Sequence, residues 1–371
     1  MKSDKKYKRI LVKIGTGVIT SSDNTLDKKK IEGLLSQVVR IMGRGIEILI
    51  VTSGAIGAGM GVLKKCTRPQ SLPELQACAA IGQNQLMNMY EGYLKSKGYV
   101  GAQILLTQDD LTDRKRYLNA KNTIATLIKE GVIPIINEND TVATDEIKFG
   151  DNDRLSSLVA NLAEADLLVM LSTVEGLCEY DSAKKTPIRC IGIVDKITRE
   201  IEDLAVNQKS KTGIGGMISK LQAAKITTSS GIPCIVANGN DKDILIKIID
   251  GKRAGTLFLA GREAISARKH WIAYTSRPKG TIKVDNGARE ALEKRNKSLL
   301  ASGITGESGK FDVGDVVSIV DEKDDEFARG LTNFSWMEIR KIKGLKSSEI
   351  KEALGYKYYD EIVHRDNLVV L

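Results

Sequence analysis

Histidine is almost missing from this chain: only His270 and His364 occur. A three-histidine metal site or a Ser-His-Asp triad therefore has hardly any material to draw on. Cysteine is scarce and scattered, with Cys66, Cys78, Cys178, Cys190 and Cys234 forming no CxxC pair. An odd, dispersed set reads as thiols of a reduced compartment, not as a disulfide scaffold. Proline is low at 6 against 34 glycines, which suits an α/β chain with many tight strand-to-helix turns. Long apolar runs are absent too. The basic N-terminal stretch has its apolar part interrupted by Lys13, so it does not read as a signal peptide, and runs such as Leu167 to Leu171 fall far short of the ~20 residues that span a bilayer. The expected location is the cytoplasm, with no membrane partner. No GxGxxG fingerprint is present either. Chemistry is left to Lys, Asp, Asn and backbone amides.

What is present is an ordinary globular composition, 42% hydrophobic and 28% charged over 371 residues, enough for about two domains. The formal net charge of +9 invites a nucleic-acid or membrane reading. Its distribution argues against one. Residues 1 to 10 hold five basic residues and one acidic, net +4, while residues 262 to 371 hold 20 against 18, net +2. No concentrated basic face emerges from the count.

The first two thirds alternate short aliphatic strands with amphipathic helices. Strands are predicted at Lys8 to Gly15, Ile46 to Val51, Val100 to Thr107, Val132 to Asn137, Asp166 to Ser172 and Ile232 to Ala237. One helical face is marked by Ile31, Leu34, Leu35, Val38, Val39 and Met42, with Gly43 and Gly45 as its stop. Continuous Val/Ile/Leu runs imply strands buried on both sides, hence a mostly parallel sheet between helical layers. The pattern changes near Gly261. Arg262 to Trp271 has helical spacing, and from Gly280 on short β-like pieces with polar turns suggest a small β-rich appendage.

Two phosphate-chemistry fragments fail on context. Gly303 to Phe311 (GITGESGKF) has one residue too many between its glycines for a P-loop and Phe311 where a Ser or Thr would hold magnesium, so it reads as a hairpin turn. His364-Arg365-Asp366 imitates a kinase catalytic loop, yet it leaves no room for the magnesium-binding residues downstream.

In an open α/β sheet ligands bind beyond the carboxyl ends of the strands. The first strand ends Lys13-Ile14-Gly15-Thr16-Gly17, either a lysine on an exposed edge or a buried cation facing a phosphate. The second ends Thr52 to Gly59 (TSGAIGAG), either a tight turn with close helix packing or an anion site. Asn137-Glu138-Asn139-Asp140 and Gly150-Asp151-Asn152-Asp153 follow at later exits, and N-capping would explain one Asp in each but not all of them. Gly213 to Lys220 (GIGGMISK) opens a helix running to about Ser230, a flexible loop or a phosphate cradle. Two lysines, two glycine-rich turns and two Asp/Asn clusters suggest phosphoryl transfer, where catalysis is mainly positioning and charge neutralisation.

These segments carry a specific resemblance. VKIGTGVIT (residues 12–20), VTSGAIGAG (51–59), INENDTVAT (136–144), FGDNDRLS (149–156) and GIGGMISK (213–220) resemble the glutamate 5-kinases of the amino-acid-kinase fold. The segment from Lys279 to about Arg365 resembles the PUA domain that many of them append. The resemblance implies a three-layer α/β sandwich over residues 1–261, a linker at 262–278 and a β-rich PUA-like domain at 279–371. It further implies Lys13, Lys220 and Asp153 as catalytic residues, and Ser53, Asp140 and Asn152 as ligands of L-glutamate. ATP would lie along Ser172, Thr173 and the loop Ile214, Gly215, Gly216, Met217, Ile218, Ser219 to Lys220, with Lys13 also on its phosphates. Magnesium would be held chiefly by those phosphates, with no dedicated protein site. A homo-oligomer, dimer or tetramer, and proline as feedback inhibitor are family expectations, whereas RNA binding by the PUA-like part is not expected as a main function. One departure is plain. The family's Thr-Asp and Asp-Gly-Leu-Tyr give way here to Ser172-Thr173-Val174-Glu175-Gly176-Leu177-Cys178, which bears on how the nucleotide's base and ribose are held.

Overall fold

A computed structural model describes residues 7–21, 25–65, 67–143, 151–180, 187–207, 216–261, 269 and 271–371. The chain divides into two compact units, Met1–Ala264 and Ile265–Leu371.

The first unit begins with β1 (Arg9–Ile14), the short α1 (Thr16–Ile19), α2 (Lys28–Met42), β2 (Glu47–Val51), α3 (Ala55–Val62) and the long α4 (Leu72–Ser96). It continues with β3 (Gly101–Leu106), α5 (Gln108–Thr112), α6 (Arg114–Lys129), β4 (Ile133–Glu138), α7 (Asp151–Leu162) and β5 (Leu167–Ser172). A small antiparallel pair, β6 (Cys178–Tyr180) and β7 (Pro187–Cys190), precedes β8 (Ile193–Val194) and α8 (Arg199–Asn207). The unit ends in α9 (Met217–Ser229), β9 (Cys234–Asn238), α10 (Ile244–Ile249) and β10 (Thr256–Phe258).

Eight of these strands form one sheet in the order β3-β4-β2-β1-β5-β9-β10-β8, parallel throughout except where β10 meets β9. The aliphatic runs explain this arrangement. Leu11, Val12, Leu49, Ile50, Leu168 and Val169 are completely buried, as strands covered by helices on both sides require. β1 lies in the middle of the sheet, with Lys13 beside Val51 on one side and Met170 on the other. The lysine is therefore in a central strand, and the exposed-edge alternative fails.

Glycine sets the distance between α3 and α4. A Cβ on Gly82 would come within 1.8 Å of the Ala55 carbonyl oxygen, and one on Gly59 within 1.9 Å of the Cys78 carbonyl oxygen. Backbone packs on backbone here, so the start of α3 is clamped to the middle of α4. Gly54 caps α3 with φ at 101°, in the left-handed region that a side chain would strain. The turn after β2 is thus tight, closely packed and directed at the strand ends together.

In the second unit β11 (Gly280–Val284), β12 (Leu299–Leu300), β13 (Ile304–Gly309), β14 (Val316–Val320), β15 (Glu326–Leu331), β16 (Glu361–Val363) and β17 (Leu368–Val370) surround a core that includes Ile282, Phe311, Ile319 and Ile339. Five of them form a sheet in the order β13-β11-β14-β15-β17. The segment expected as a hairpin turn at 303–311 is mostly strand. Ile304–Gly309 pairs with β11, because the apolar Ile304 and Phe311 bury at its two ends and only Gly309, with φ at 87°, turns. Arg365–Asn367 forms a 3-10 turn. Of the helical spacing read over 262–271, residues 262–268 and 270 lie outside the described residues, and Trp271–Thr275 is a π-helical turn.

Candidate active site

The site is assembled at the carboxyl ends of β1, β2, β4, β5 and β9. Its centre is a buried bridge of three charges. Lys13, on β1, places Nζ 2.6 Å from Oδ1 of Asp153, in the first turn of α7, and Lys220 in α9 places Nζ 3.2 Å from Oδ2 of the same carboxylate. Ser219 Oγ donates to that Oδ2 at 2.7 Å. Relative exposures of 6%, 1% and 5% for Lys13, Asp153 and Lys220 show how thoroughly water is displaced.

Burial alone would push the Asp153 carboxyl up, but the Lys13 and Lys220 ammonium groups outweigh it and hold the group below the ordinary carboxylate range. Lys220 moves the opposite way. Its burial and the neighbouring Lys13 charge together exceed the attraction of Asp153, leaving it below the ordinary 10.5 of a lysine. Two buried cations share this carboxylate, an arrangement suited to receiving a polyanion. A measurable consequence concerns pH. With ATP as that polyanion, as the resemblance implies, the rate at low ATP should decline on the alkaline side before the ordinary lysine range, and Lys220→Arg, which keeps its proton, should move that decline to higher pH. A pH profile of kcat/KM for ATP reads it directly, and an alkaline limb unchanged by Lys220→Arg would show that another group titrates.

A second cluster lies beside the bridge. Asn152 Nδ2 donates to Ser53 Oγ and to Asn137 Oδ1, each at 3.1 Å. Asn137, at the end of β4, donates in turn to Gln83 Oε1 at 2.7 Å from α4. Two helical turns further along α4 the fully buried Tyr90 exchanges a 2.9 Å hydrogen bond with Thr52 Oγ1, and burial pushes its phenol up to about 12. Asp140 is half-buried just past β4 and faces the guanidinium of Arg68, which burial lowers and the Asp140 charge raises.

At the ends of β5 and β9, Ser172 pairs with Asn238 in register, and Thr173 is exposed. A Cβ on Gly17 would lie 2.8 Å from Thr173 Cγ2, so the glycine turn after β1 and the turn after β5 face each other closely. Beyond Thr173 the departing sequence has contacts of its own. Glu175 Oε1 accepts from Asn238 Nδ2 at 2.7 Å, and Leu177 N–H donates to Thr256 Oγ1 at 2.8 Å. Gly216 precedes α9, Met217 is buried and Ile218 is exposed, while Ile214 and Gly215 lie outside the described residues.

Cysteine departs from the sequence-based expectation. Cys178 and Cys190 stand opposite each other in the β6–β7 ladder and are joined as a disulfide across 12 residues. It is a local clasp, set by strand register that scattered cysteines in a sequence do not disclose. Cys78 and Cys234 are free and buried. Among the described residues no helix is long and apolar enough to cross a membrane.

The model of the Amino acid kinase family matches residues 8–238, and that of the PUA domain matches residues 280–354. The chain belongs to the amino acid kinase family. Amino acid kinases similar to it over nearly their whole length include the glutamate 5-kinase of Geobacter sulfurreducens, 50% identical over 366 residues that cover 99% of this chain and 98% of that one. The glutamate 5-kinase of Thermoanaerobacter pseudethanolicus is 47% identical over 363 residues, 98% of each chain. The fold is shared more widely: the carbamate kinase from Giardia lamblia bound to AMP-PNP superimposes with a TM-score of 0.51 at 18% identity, covering 68% of this chain and 99% of that one. The sheet described above is accordingly the amino acid kinase sheet, followed in this chain by a PUA domain.

Several members of this cluster were not assigned from sequence. Asn137 sat unassigned within a named cluster, and Gln83, Tyr90 and Arg68 were not singled out. A local signal was Gly82, in the interior of a long helix, a glycine that such a position does not favour unless something packs on it.

Proposed function

We propose that this chain transfers the γ-phosphoryl group of ATP to the side-chain carboxylate of L-glutamate, giving L-glutamyl 5-phosphate, the first step towards proline. The observation that carries the reading is the buried Lys13–Asp153–Lys220 bridge at the carboxyl ends of the strands. The names of its near-full-length relatives supply the acceptor.

A carboxylate oxygen of glutamate attacks the γ-phosphorus while the bond to the β–γ bridging oxygen breaks, and ADP leaves with that electron pair. The acceptor is already ionised at neutral pH, its ordinary pKa being about 4.3, so no general base is needed. Lys13 and Lys220 neutralise the charge that spreads over the transferring oxygens, and Asp153 fixes their spacing before substrate arrives. Ser53 and Asn152 hold the amino acid, with Asp140 suited to its ammonium. ATP lies along Ser172, Thr173 and the turn into α9, including Ile214 and Gly215. Magnesium would be held chiefly by the phosphates of ATP and would supply charge neutralisation there, while the lysines engage both Asp153 oxygens. A homo-oligomer and inhibition by proline rest on the family resemblance alone, as does the cytoplasm as its location.

The test is ADP release measured with glutamate, aspartate, N-acetylglutamate and carbamate as acceptors. Turnover with glutamate well above the other three is the expected result. Activity confined to any of the others would overturn the acceptor assignment.

A further inference from the structure

The cluster beside the bridge contains three amides in series, and its polarity is fixed from one end. Glu138 N–H donates to Asn137 Oδ1 at 3.0 Å. A backbone N–H can only donate, so the amide atom it meets is the oxygen. Asn137 Nδ2 is then the donor to Gln83 Oε1, and Asn137 Oδ1 is the acceptor for Asn152 Nδ2. Each amide orients the next. At the two ends of the series Gln83 Nε2 and Asn152 Oδ1 are left, both buried and without a partner among the described residues. Asn152 has committed its N–H groups to Ser53 and Asn137, so what it offers is a bare carbonyl, a group that accepts from an ammonium.

Gln83 is held for this purpose by the packing around it. The adjoining Gly82 rests on the backbone of Ala55 and Gly59, which sets the depth of α4. Tyr90, at i+7 on the same helix, is tied to Thr52. α4 thus meets the strand ends at two polar points, one under Thr52 and one under Asn137.

We infer that Gln83 is a positioning residue for recognition of the substrate's α-ammonium: by accepting from Asn137 it locks the amide series so that the Asn152 carbonyl faces the amino group. The inference rests on the proposed glutamate reaction and deepens it. Without the Gln83 oxygen, Asn137 Nδ2 loses its buried partner and the Asn152 amide its fixed orientation.

The experiment compares L-glutamate with glutarate, which has the same two carboxylates and no amino group. In Gln83→Met the preference for glutamate, read as KM for glutamate against the inhibition constant of glutarate, should fall by about 10- to 100-fold. KM for ATP should stay within about twofold, because the relay does not touch the nucleotide side. A preference unchanged in Gln83→Met, or an equal loss for both ligands, would overturn the inference. If Gln83→Met does not give a cooperative melt, Gln83→Glu carries the test: it keeps an acceptor for Asn137 and should hold the preference within about threefold, and a tenfold loss would contradict the relay. Failure of the unsubstituted protein to phosphorylate glutamate would instead refute the proposed function, so the two failures are distinguishable.

Discussion

Lys220→Ala should lower kcat by about 10²- to 10³-fold, corresponding to roughly 3–4 kcal/mol of lost transition-state stabilisation. Its Nζ lies 3.2 Å from Asp153 Oδ2 in a pocket with almost no water, where a cation acts at close to full strength on any phosphate oxygen that enters. In the proposed reaction glutamate is held by other residues, so its KM should change less than about threefold. Steady-state kinetics with both substrates varied would check the split. Unchanged turnover would remove Lys220 from the chemistry, and a rise confined to the KM for ATP would reduce it to a ground-state contact. Lys220→Ala leaves Asp153 paired with Lys13, so the fold should persist and the kinetic result can be read cleanly.

Asp153→Asn should act on stability as strongly as on rate. The substitution keeps the shape but removes the carboxylate charge that Lys13 and Lys220 share, with both lysines buried at 6% and 5% exposure. Breaking a buried ion pair from one side costs about 3–5 kcal/mol. For a unit of this size the melting temperature should drop by roughly 6–20 °C. The pH dependence gives a second check. Asp153 titrates below the ordinary carboxylate value in the folded state, so its contribution is fully present above the unfolded value of about 3.9 and disappears as pH falls through the lower folded one. Thermal melts of the two proteins should therefore differ widely at neutral pH and converge in acid. Equal melting temperatures at pH 7 would mean that the bridge does not organise the site.

The central sheet was legible because each buried strand is written as an uninterrupted aliphatic run, and the strands at Arg9–Ile14, Glu47–Val51 and Leu167–Ser172 lie within a residue or two of the segments read. The polar residues that leave those strands were legible for the same reason. Once the parallel sheet is inferred, Lys13, Ser53, Asn137 and Ser172 must crowd one edge. Distances between helices were not legible. That Gly59 and Gly82 bring α3 onto α4, and so place Gln83 under Asn137, depends on two glycines that individually look like weak points in helices. The partnership of Asp153 with both lysines was not visible in spacing either, since residues 13, 153 and 220 are far apart in the chain; the family resemblance named the three residues, and the geometry joins them. The Cys178–Cys190 bond and the strand at Ile304–Gly309 escaped because strand register, not composition, decides them.

In the proposed reaction the buried lysine bridge serves transfer of phosphate to a side-chain carboxylate of an amino acid. An acyl phosphate reacts with hydroxylamine to give a hydroxamate at the carbon that carried the phosphate, which makes the site of transfer directly observable. Incubation of the protein with ATP, magnesium, L-glutamate and hydroxylamine should yield the γ-hydroxamate in step with ADP. Release of ADP with no hydroxamate, or with the α-hydroxamate in its place, would contradict the account.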